Sequence, residues 1–161
     1  MKIIFLDIDG VLNSKEFFKL TNPRDYSKLE LWLDKKIIVK LNHLIKQTNA
    51  LVVLSSQWRE YHNLEDIQEA LVKNGFSHEL FDKTPDQFLI NEKDLDTSCK
   101  QHEIFMWLLN AANDSLDVSR FVILDDKKEH LLGLQQFSVF IDNEVGLTNE
   151  DIKKAFEILK R

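Results

Sequence analysis

The feature that most constrains this chain lies at its start, where an apolar run ends in two acidic residues. Residues 2–6 read Lys-Ile-Ile-Phe-Leu, and Asp7, Asp9 and Gly10 follow. An unbroken apolar run is typical of a strand buried on both faces of a parallel sheet, and such strands present functional groups at their carboxyl ends. If the extended backbone continues, Asp7 and Asp9 lie on one face and can share a cation, while Gly10 lets the chain turn away.

Four further segments are predicted to pair with this first strand, and helical patterns lie between them. They are residues 50–54, a weak segment at 78–81, 121–124 and 137–141. Two of the helix starts carry a capping pair, which is a local signal for where a helix begins. These pairs are Asn63 with Asp66 and Thr148 with Asp151.

Strands that alternate with helices indicate right-handed crossovers and a mostly parallel sheet with helices on both faces. The fold class is therefore expected to be α/β, with five strands. The chain has 161 residues, of which 43% are hydrophobic, and no tract that reads as a linker. A chain of this size can bury roughly two thirds of its unfolded surface, so we expect one domain spanning residues 1–161.

The net charge and the cysteine content limit which partners and which cellular compartment are expected. The net charge of -6 argues against broad electrostatic capture of nucleic acid, although a local basic site is compatible with it. Cys99 is the single cysteine, so no internal disulfide can form and a reducing compartment is expected. The apolar run before Asp7 is too short for a signal peptide or a membrane span, so we expect a cytoplasmic protein that does not bind membranes.

Two of the other predicted strands also end in polar residues. One runs into Ser55 and Ser56, and another runs into Asp125 and Asp126. An Asp-x-Asp sequence by itself is usually a solvated turn. Carboxylates after a buried strand are costly unless a cation or hydrogen bonds compensate, however, and here a second acidic pair follows another strand. The sequence therefore predicts a metal site, in which the acids after the first strand and those after Leu124 share one cation.

In order and context, these residues resemble the four motifs of the haloacid dehalogenase-like (HAD) phosphohydrolase superfamily. The first motif is Asp-x-Asp-x-(Thr/Val)-(Leu/Val), and residues 7–12, Asp-Ile-Asp-Gly-Val-Leu, match it without a departure. Ser55 fits the second motif, a Ser or Thr that closes an apolar strand, and Lys100 fits the third, a lone Lys or Arg. Asp125 and Asp126 fit the fourth motif, an acidic pair after a strand.

Two short sequence motifs resemble one branch of this superfamily. They are Leu-Ser-Ser-Gln-Trp-Arg at residues 54–59 and Val-Gly-Leu-Thr at residues 145–148. That branch includes the HAD phosphatase domain of modular RNA repair proteins. The resemblance implies a Rossmann-like three-layer α/β/α sandwich. The stretches 13–49 and 57–99 are too short for the cap domain that many members carry. The site should therefore be accessible to solvent, with only a flap to cover it. The flap aromatics are Phe17, Phe18, Tyr26 and Trp32.

The resemblance also implies hydrolysis of phosphate monoesters through a phosphoaspartyl intermediate. Asp7 would be the nucleophile, and Asp9 would be the general acid and then the general base. Members that act as dehalogenases lack the second aspartate of the first motif, so Asp9 favours phosphate ester chemistry. Ser55 would hydrogen-bond a phosphoryl oxygen, and the Lys100 ammonium would offset charge on the transferring group and on Asp7.

A Mg²⁺ cofactor follows from the same resemblance, because a phosphate monoester repels an attacking carboxylate unless positive charge intervenes. Mg²⁺ prefers hard oxygen ligands. Asp7 would bind it through the carboxylate, and Asp9 through its backbone carbonyl. Asp126 is the preferred ligand of the last motif, with Asp125 binding through water or orienting its neighbour, and the order within this pair could be reversed.

Three of the assignments have a local alternative. Ser56 is as plausible a hydroxyl as Ser55 on local grounds, and we expect it to bind substrate. Lys93 is the rival of Lys100, which is preferred because it precedes an apolar helical stripe. Arg59 is a second candidate for substrate binding, but a structural ion pair is about as plausible for it.

Three functions are compatible with such a site. An open site admits large substrates, so the first is a phosphatase acting on nucleic acid ends or on another macromolecule. The second is a phosphatase of small molecules, such as nucleotides or sugar phosphates, with the flap aromatics stacking on the leaving group. The third is a non-catalytic module that binds phosphate or a partner, and the intact set of acidic and hydroxyl residues argues against it.

Overall fold

The strands in the described part of the chain form one five-stranded sheet. The computed structural model describes residues 1–85 and 99–160. Its strands are β1 (Lys2–Leu6), β2 (Leu51–Leu54), β3 (Leu80–Lys83), β4 (Arg120–Asp125) and β5 (Ser138–Phe140). Every neighbouring pair is parallel, in the order β3-β2-β1-β4-β5. The sheet grows outward from β1 in both directions, so the strand order reverses between β1 and β4.

Helices cover both faces of this sheet. They are α1 (Lys15–Thr21), α2 (Lys35–Thr48), α3 (Trp58–Tyr61), α4 (Leu64–Lys73), α5 (Cys99–Asn113) and α6 (Asn149–Lys160). Alternate residues of β1 enter two cores, because successive side chains of a strand point to opposite faces. Ile4 and Leu6 pack with residues of α2, α4 and α6, whereas Ile3 and Phe5 pack with residues of α5. The predicted α/β fold, a Rossmann-like three-layer sandwich, is confirmed.

Both capping pairs expected from the sequence are present. The Asn63 side chain accepts a hydrogen bond from the Asp66 backbone N–H at 2.7 Å, and this bond starts α4. The Asp151 carboxylate accepts from the Thr148 hydroxyl at 2.6 Å, and the Thr148 hydroxyl oxygen accepts from the Asp151 N–H at 3.3 Å. Such reciprocal bonds satisfy backbone donors that the first turn of a helix leaves free.

The segment between β1 and β2 forms a flap followed by α2, and no separate cap domain exists among the described residues. The flap consists of α1 and a short 3₁₀ helix at Leu29–Trp32. Its start is tied to the loop after β5, because the Lys15 N–H donates to the Asn143 carbonyl at 2.9 Å. The exposed ring of Tyr26 stacks on Trp32 with centroids 4.7 Å apart.

None of the helices in residues 1–85 and 99–160 combines the length and the apolar character needed to cross a lipid bilayer.

Candidate active site

Three carboxylates meet where the strand order reverses. Asp7 follows β1 directly, and its N–H donates to the Leu124 carbonyl of β4 at 3.0 Å. Asp125 ends β4, and Asp126 comes next. Because β1 and β4 are adjacent, oxygens of Asp7, Asp125 and Asp126 lie within 4.8 Å of one another. A ligand is expected at this point in an open parallel sheet, and the chain places its acids there.

Lys100 joins these acids from the first turn of α5. Its Nζ lies 2.9 Å from Asp7 Oδ2 and 2.6 Å from Asp125 Oδ2. Burial by itself would lower the pKa of Lys100, but the carboxylates of Asp7 and Asp125 outweigh burial and raise that pKa above its ordinary value. Lys100 therefore stays an ammonium ion between the two acids. The rival, Lys93, lies outside the described residues.

The two acids of the last motif differ in what their oxygens contact. Asp125 is fully buried, and its Oδ1 accepts the Lys127 N–H at 2.8 Å while Oδ2 faces Lys100. Burial raises the pKa of the Asp125 carboxyl, Lys100 opposes that rise and the nearby Asp7 charge adds to it. By contrast, Asp126 Oδ1 is buried without a hydrogen-bond partner among the described residues. This difference favours Asp126 as the direct metal ligand.

The surroundings of Asp126 fit a small divalent cation. Its second oxygen accepts a long bond of 3.3 Å from the Asn143 amide. Gly10 has a φ of +75°, which favours glycine. A Cβ atom at this position would lie 2.7 Å from Asp126 Oδ2, so a larger residue would clash with this carboxylate. A buried carboxylate oxygen without a partner calls for a bound ion or water, and three clustered acids offer the hard oxygens that Mg²⁺ prefers.

Asp9 does not join this cluster with its side chain. Strand β1 ends at Leu6, and the chain then enters a turn in which the Leu12 N–H donates to the Ile8 carbonyl at 2.8 Å. Asp9 is exposed, and its two oxygens accept bonds from the Asn13 amide and the Trp58 indole, each at 3.0 Å. Because both side-chain oxygens of Asp9 already accept bonds, its backbone carbonyl is the group expected to contact a metal.

The two serines that follow β2 differ in the hydrogen bonds of their hydroxyl groups. The Ser55 N–H donates to the Leu6 carbonyl at 2.8 Å, which ties the end of β2 to the end of β1. Ser55 Oγ is buried and has no hydrogen-bond partner among the described residues. Ser56 Oγ, in contrast, accepts the Trp58 N–H at 3.3 Å at the start of α3. The open hydroxyl favours Ser55 as the phosphate contact.

Arg59 is buried and forms the structural ion pair that the sequence left open. Its Nη2 lies 2.6 Å from Glu103 Oε2, and both side chains are at most 7% exposed. Its Nη1 donates to the Ser56 carbonyl at 2.6 Å, and its Nε to the Thr84 carbonyl at 3.1 Å. Glu103 lies one helical turn after Lys100. The guanidinium thus links the loop after β2 to the helix that carries Lys100, and substrate contact by Arg59 has no support from these bonds.

Comparison with known proteins agrees with this geometry. A family model described as "HAD domain in Swiss Army Knife RNA repair proteins" matches residues 3–152. The chain belongs to this family. The predicted resemblance is confirmed, and the HAD domain is in general terms a phosphatase-type hydrolase of a superfamily that uses divalent metals. No curated protein matches the chain at a significant level.

Two neighbours of Asp9 in this HAD domain were not predicted from the sequence. Asn13 is fully buried, and it also accepts the Gly10 N–H at 2.8 Å, so it fixes the turn that carries Asp9. Trp58 looks like an ordinary core residue from its sequence context. The signals that could have found them are the spacing of Asn13 one turn after Asp9 and the position of Trp58 two residues after Ser56.

Proposed function

We propose that this HAD domain is a Mg²⁺-dependent phosphatase that hydrolyses phosphate monoesters through a phosphoaspartyl intermediate. The observation that carries the proposal is the ion pair of Asp7 with Lys100 beside the open oxygen of Asp126. A carboxylate can attack a phosphate only where positive charge offsets their repulsion. Lys100 supplies one such charge, and the acidic cluster offers a place for a second.

In the proposed reaction, an Asp7 oxygen forms a bond to phosphorus as the bond from phosphorus to the leaving oxygen breaks. Asp9 donates a proton to that leaving oxygen. Asp9 then accepts a proton from a water molecule, whose oxygen bonds to phosphorus as the bond from phosphorus to the Asp7 oxygen breaks. This step releases phosphate and restores the Asp7 carboxylate. Ser55 donates its hydroxyl hydrogen to a phosphoryl oxygen, and Lys100 stabilises the charge that develops there.

The metal ligands in this proposal are the Asp7 and Asp126 carboxylates and the backbone carbonyl of Asp9. Asp125 would act through water or by holding Lys100, because its oxygens already accept bonds. When bound, Mg²⁺ would neutralise phosphoryl oxygens and align the phosphate for in-line attack.

Removal of Mg²⁺ tests the proposal. Hydrolysis of p-nitrophenyl phosphate by the full chain should fall at least about 100-fold in excess EDTA and return when Mg²⁺ is added back. The Asp126→Asn variant should need about tenfold more Mg²⁺ for its half-maximal rate, because it loses the charge of the open carboxylate. Asp142→Asn, an exposed acid of the nearby loop, is the matched control and should need the wild-type concentration. Turnover that survives EDTA would contradict the metal requirement.

The substrate we propose is a phosphate at a nucleic acid end. The family description names RNA repair proteins, and the site lacks a separate cap among the described residues. The flap is linked to Asp9 through Asn13, whose amide donates to the Trp32 carbonyl. It carries an exposed Arg24 and the Tyr26–Trp32 stack, which suit a phosphate backbone and a base. The same stack would hold the base of a mononucleotide, which keeps a small-molecule phosphatase as the second candidate.

A panel of substrates separates the two candidates. An oligonucleotide with a terminal phosphate should give a kcat/KM at least about tenfold above that of the matching nucleoside monophosphate, and added salt should reduce this advantage. The oligonucleotide without its phosphate should compete as an inhibitor. Equal turnover of both phosphates at every salt concentration would favour the small-molecule candidate. Phosphate binding without any turnover would instead indicate the non-catalytic module.

A further inference from the structure

Asp9 differs in its surroundings from the other residues of the proposed reaction. Asp7, Ser55 and Lys100 are buried, whereas Asp9 is exposed on a turn. An exposed carboxylate that rotates freely spends little time in the orientation needed to pass a proton to a leaving group. The efficiency of such a residue therefore depends on what restrains its side chain.

Within the described residues, the Asp9 carboxylate is restrained by two donors, one on each oxygen. The Asn13 amide donates to Oδ1, and the Trp58 indole Nε1–H donates to Oδ2, both at 3.0 Å. Asn13 is itself fixed, because its amide group also donates to the Trp32 carbonyl at 3.0 Å. Trp58 is half-buried and packs against the core at the start of α3. The two donors thus come from separate parts of the fold, the turn after β1 and the start of α3.

We propose that Trp58 is a positioning residue for Asp9, and the inference rests on the proposed phosphatase function. The indole N–H holds Oδ2 in the orientation that delivers a proton to the leaving oxygen. It also keeps a fourth carboxylate away from the cluster of Asp7, Asp125 and Asp126. An indole is suited to this task because it only donates, so it does not compete with the substrate for the proton that Asp9 carries.

The Trp58→Phe variant keeps an aromatic ring and removes the N–H, so its effect depends on the leaving group. An alkyl phosphate needs proton donation to its leaving oxygen, whereas p-nitrophenolate leaves without it. We expect kcat/KM for the alkyl phosphate to fall about tenfold or more, and that for p-nitrophenyl phosphate to change less than about twofold. A purely structural role of Trp58 would lower both values by the same factor and would overturn the proposal.

Trp107→Phe is the matched control. The Trp107 indole donates to Asp82 Oδ2 at 2.6 Å, so this variant loses the same kind of bond away from Asp9. Its ratio of the two kcat/KM values should equal that of the wild type, even if its melting temperature falls. A ratio that shifts as far as in Trp58→Phe would trace the effect to general loss of packing and overturn the proposal.

A double-mutant cycle with Asp9→Asn provides a second measurement that does not depend on the stability of one variant. If Trp58 acts through Asp9, Trp58→Phe should not change the substrate ratio further in the Asp9→Asn background. Additive effects would overturn the positioning role while leaving the phosphatase function intact. If the wild type hydrolysed neither ester, the proposed function itself would fail, so the two failures are distinguishable.

Discussion

Replacement of Asp7 by asparagine should lower phosphate monoester hydrolysis by at least about a thousand-fold. An amide oxygen is a poor nucleophile, and the variant also removes one of the two carboxylates that face Lys100. The side chain keeps its shape, so the bond from the Ile8 N–H to Oδ1, 2.8 Å in the wild type, can persist. Steady-state kinetics under saturating Mg²⁺ measure the loss, and thermal melting checks that the variant is folded.

The control for this prediction is Asp151→Asn. Asp151 is 7% exposed and Asp7 is 6% exposed, so the two acids are similarly buried, but Asp151 caps α6 away from the site. Its variant should lose stability and keep the wild-type turnover. Rapid acid quenching followed by mass spectrometry should find a phosphoryl group on the Asp7 peptide of the wild type. Turnover by Asp7→Asn within about tenfold of the wild type would refute the nucleophile assignment.

The central strands could be predicted from the sequence, and the edges less well. β1, β2 and β4 are buried on both faces, and such burial requires the unbroken apolar runs that the sequence contains. The weak segment at 78–81 is strand β3 only from Leu80, and its central residues Phe81 and Asp82 are exposed. An edge strand is covered less by neighbours, so its sequence carries less of the apolar pattern that reveals a strand.

The acids of the site could be predicted because they follow those central strands. Once β1 and β4 are neighbours, Asp7 and Asp125 must meet at one edge of the sheet. The partners of Asp9 could not be predicted in the same way. They depend on a turn that begins at Ile8 and on a contact with Trp58, a residue far along the chain, and neither leaves a periodic pattern in the sequence.

The ion pair of Arg59 with Glu103 illustrates the same limit. The two residues lie on different elements, and the intervening stretch from 86 to 98 lies outside the described residues. Helical periodicity places Glu103 on the same face as Lys100, but it does not say which residue that face meets. The local sequence pattern thus predicts which charged residues lie at the site. Long-range packing determines which of the charged residues form ion pairs that hold the elements of the site together.

Replacement of Lys100 by methionine should have the largest effect on stability. The variant leaves the carboxylates of Asp7 and Asp125 close together and buried without the ammonium between them. Removal of one partner from a buried ion pair typically costs roughly 3–5 kcal/mol, so the free energy of unfolding in EDTA should fall by about that amount. Turnover should fall about 100-fold or more, because the charge that stabilises the transferring phosphoryl group is gone.

Mg²⁺ should partly restore the stability of Lys100→Met, and it should raise the melting temperature of this variant more than that of the wild type. The reason is that a divalent cation held by the acidic cluster replaces some of the lost positive charge. Lys40→Met is the control, since the half-buried Lys40 Nζ donates to the Leu147 carbonyl at 2.9 Å and forms no ion pair with the acids in residues 1–85 and 99–160. That variant should lose roughly 1–2 kcal/mol and keep its turnover and its response to Mg²⁺. A Lys100→Met protein as stable as the wild type in EDTA would show that the acids do not need Lys100, and the charge argument for the site would then be wrong.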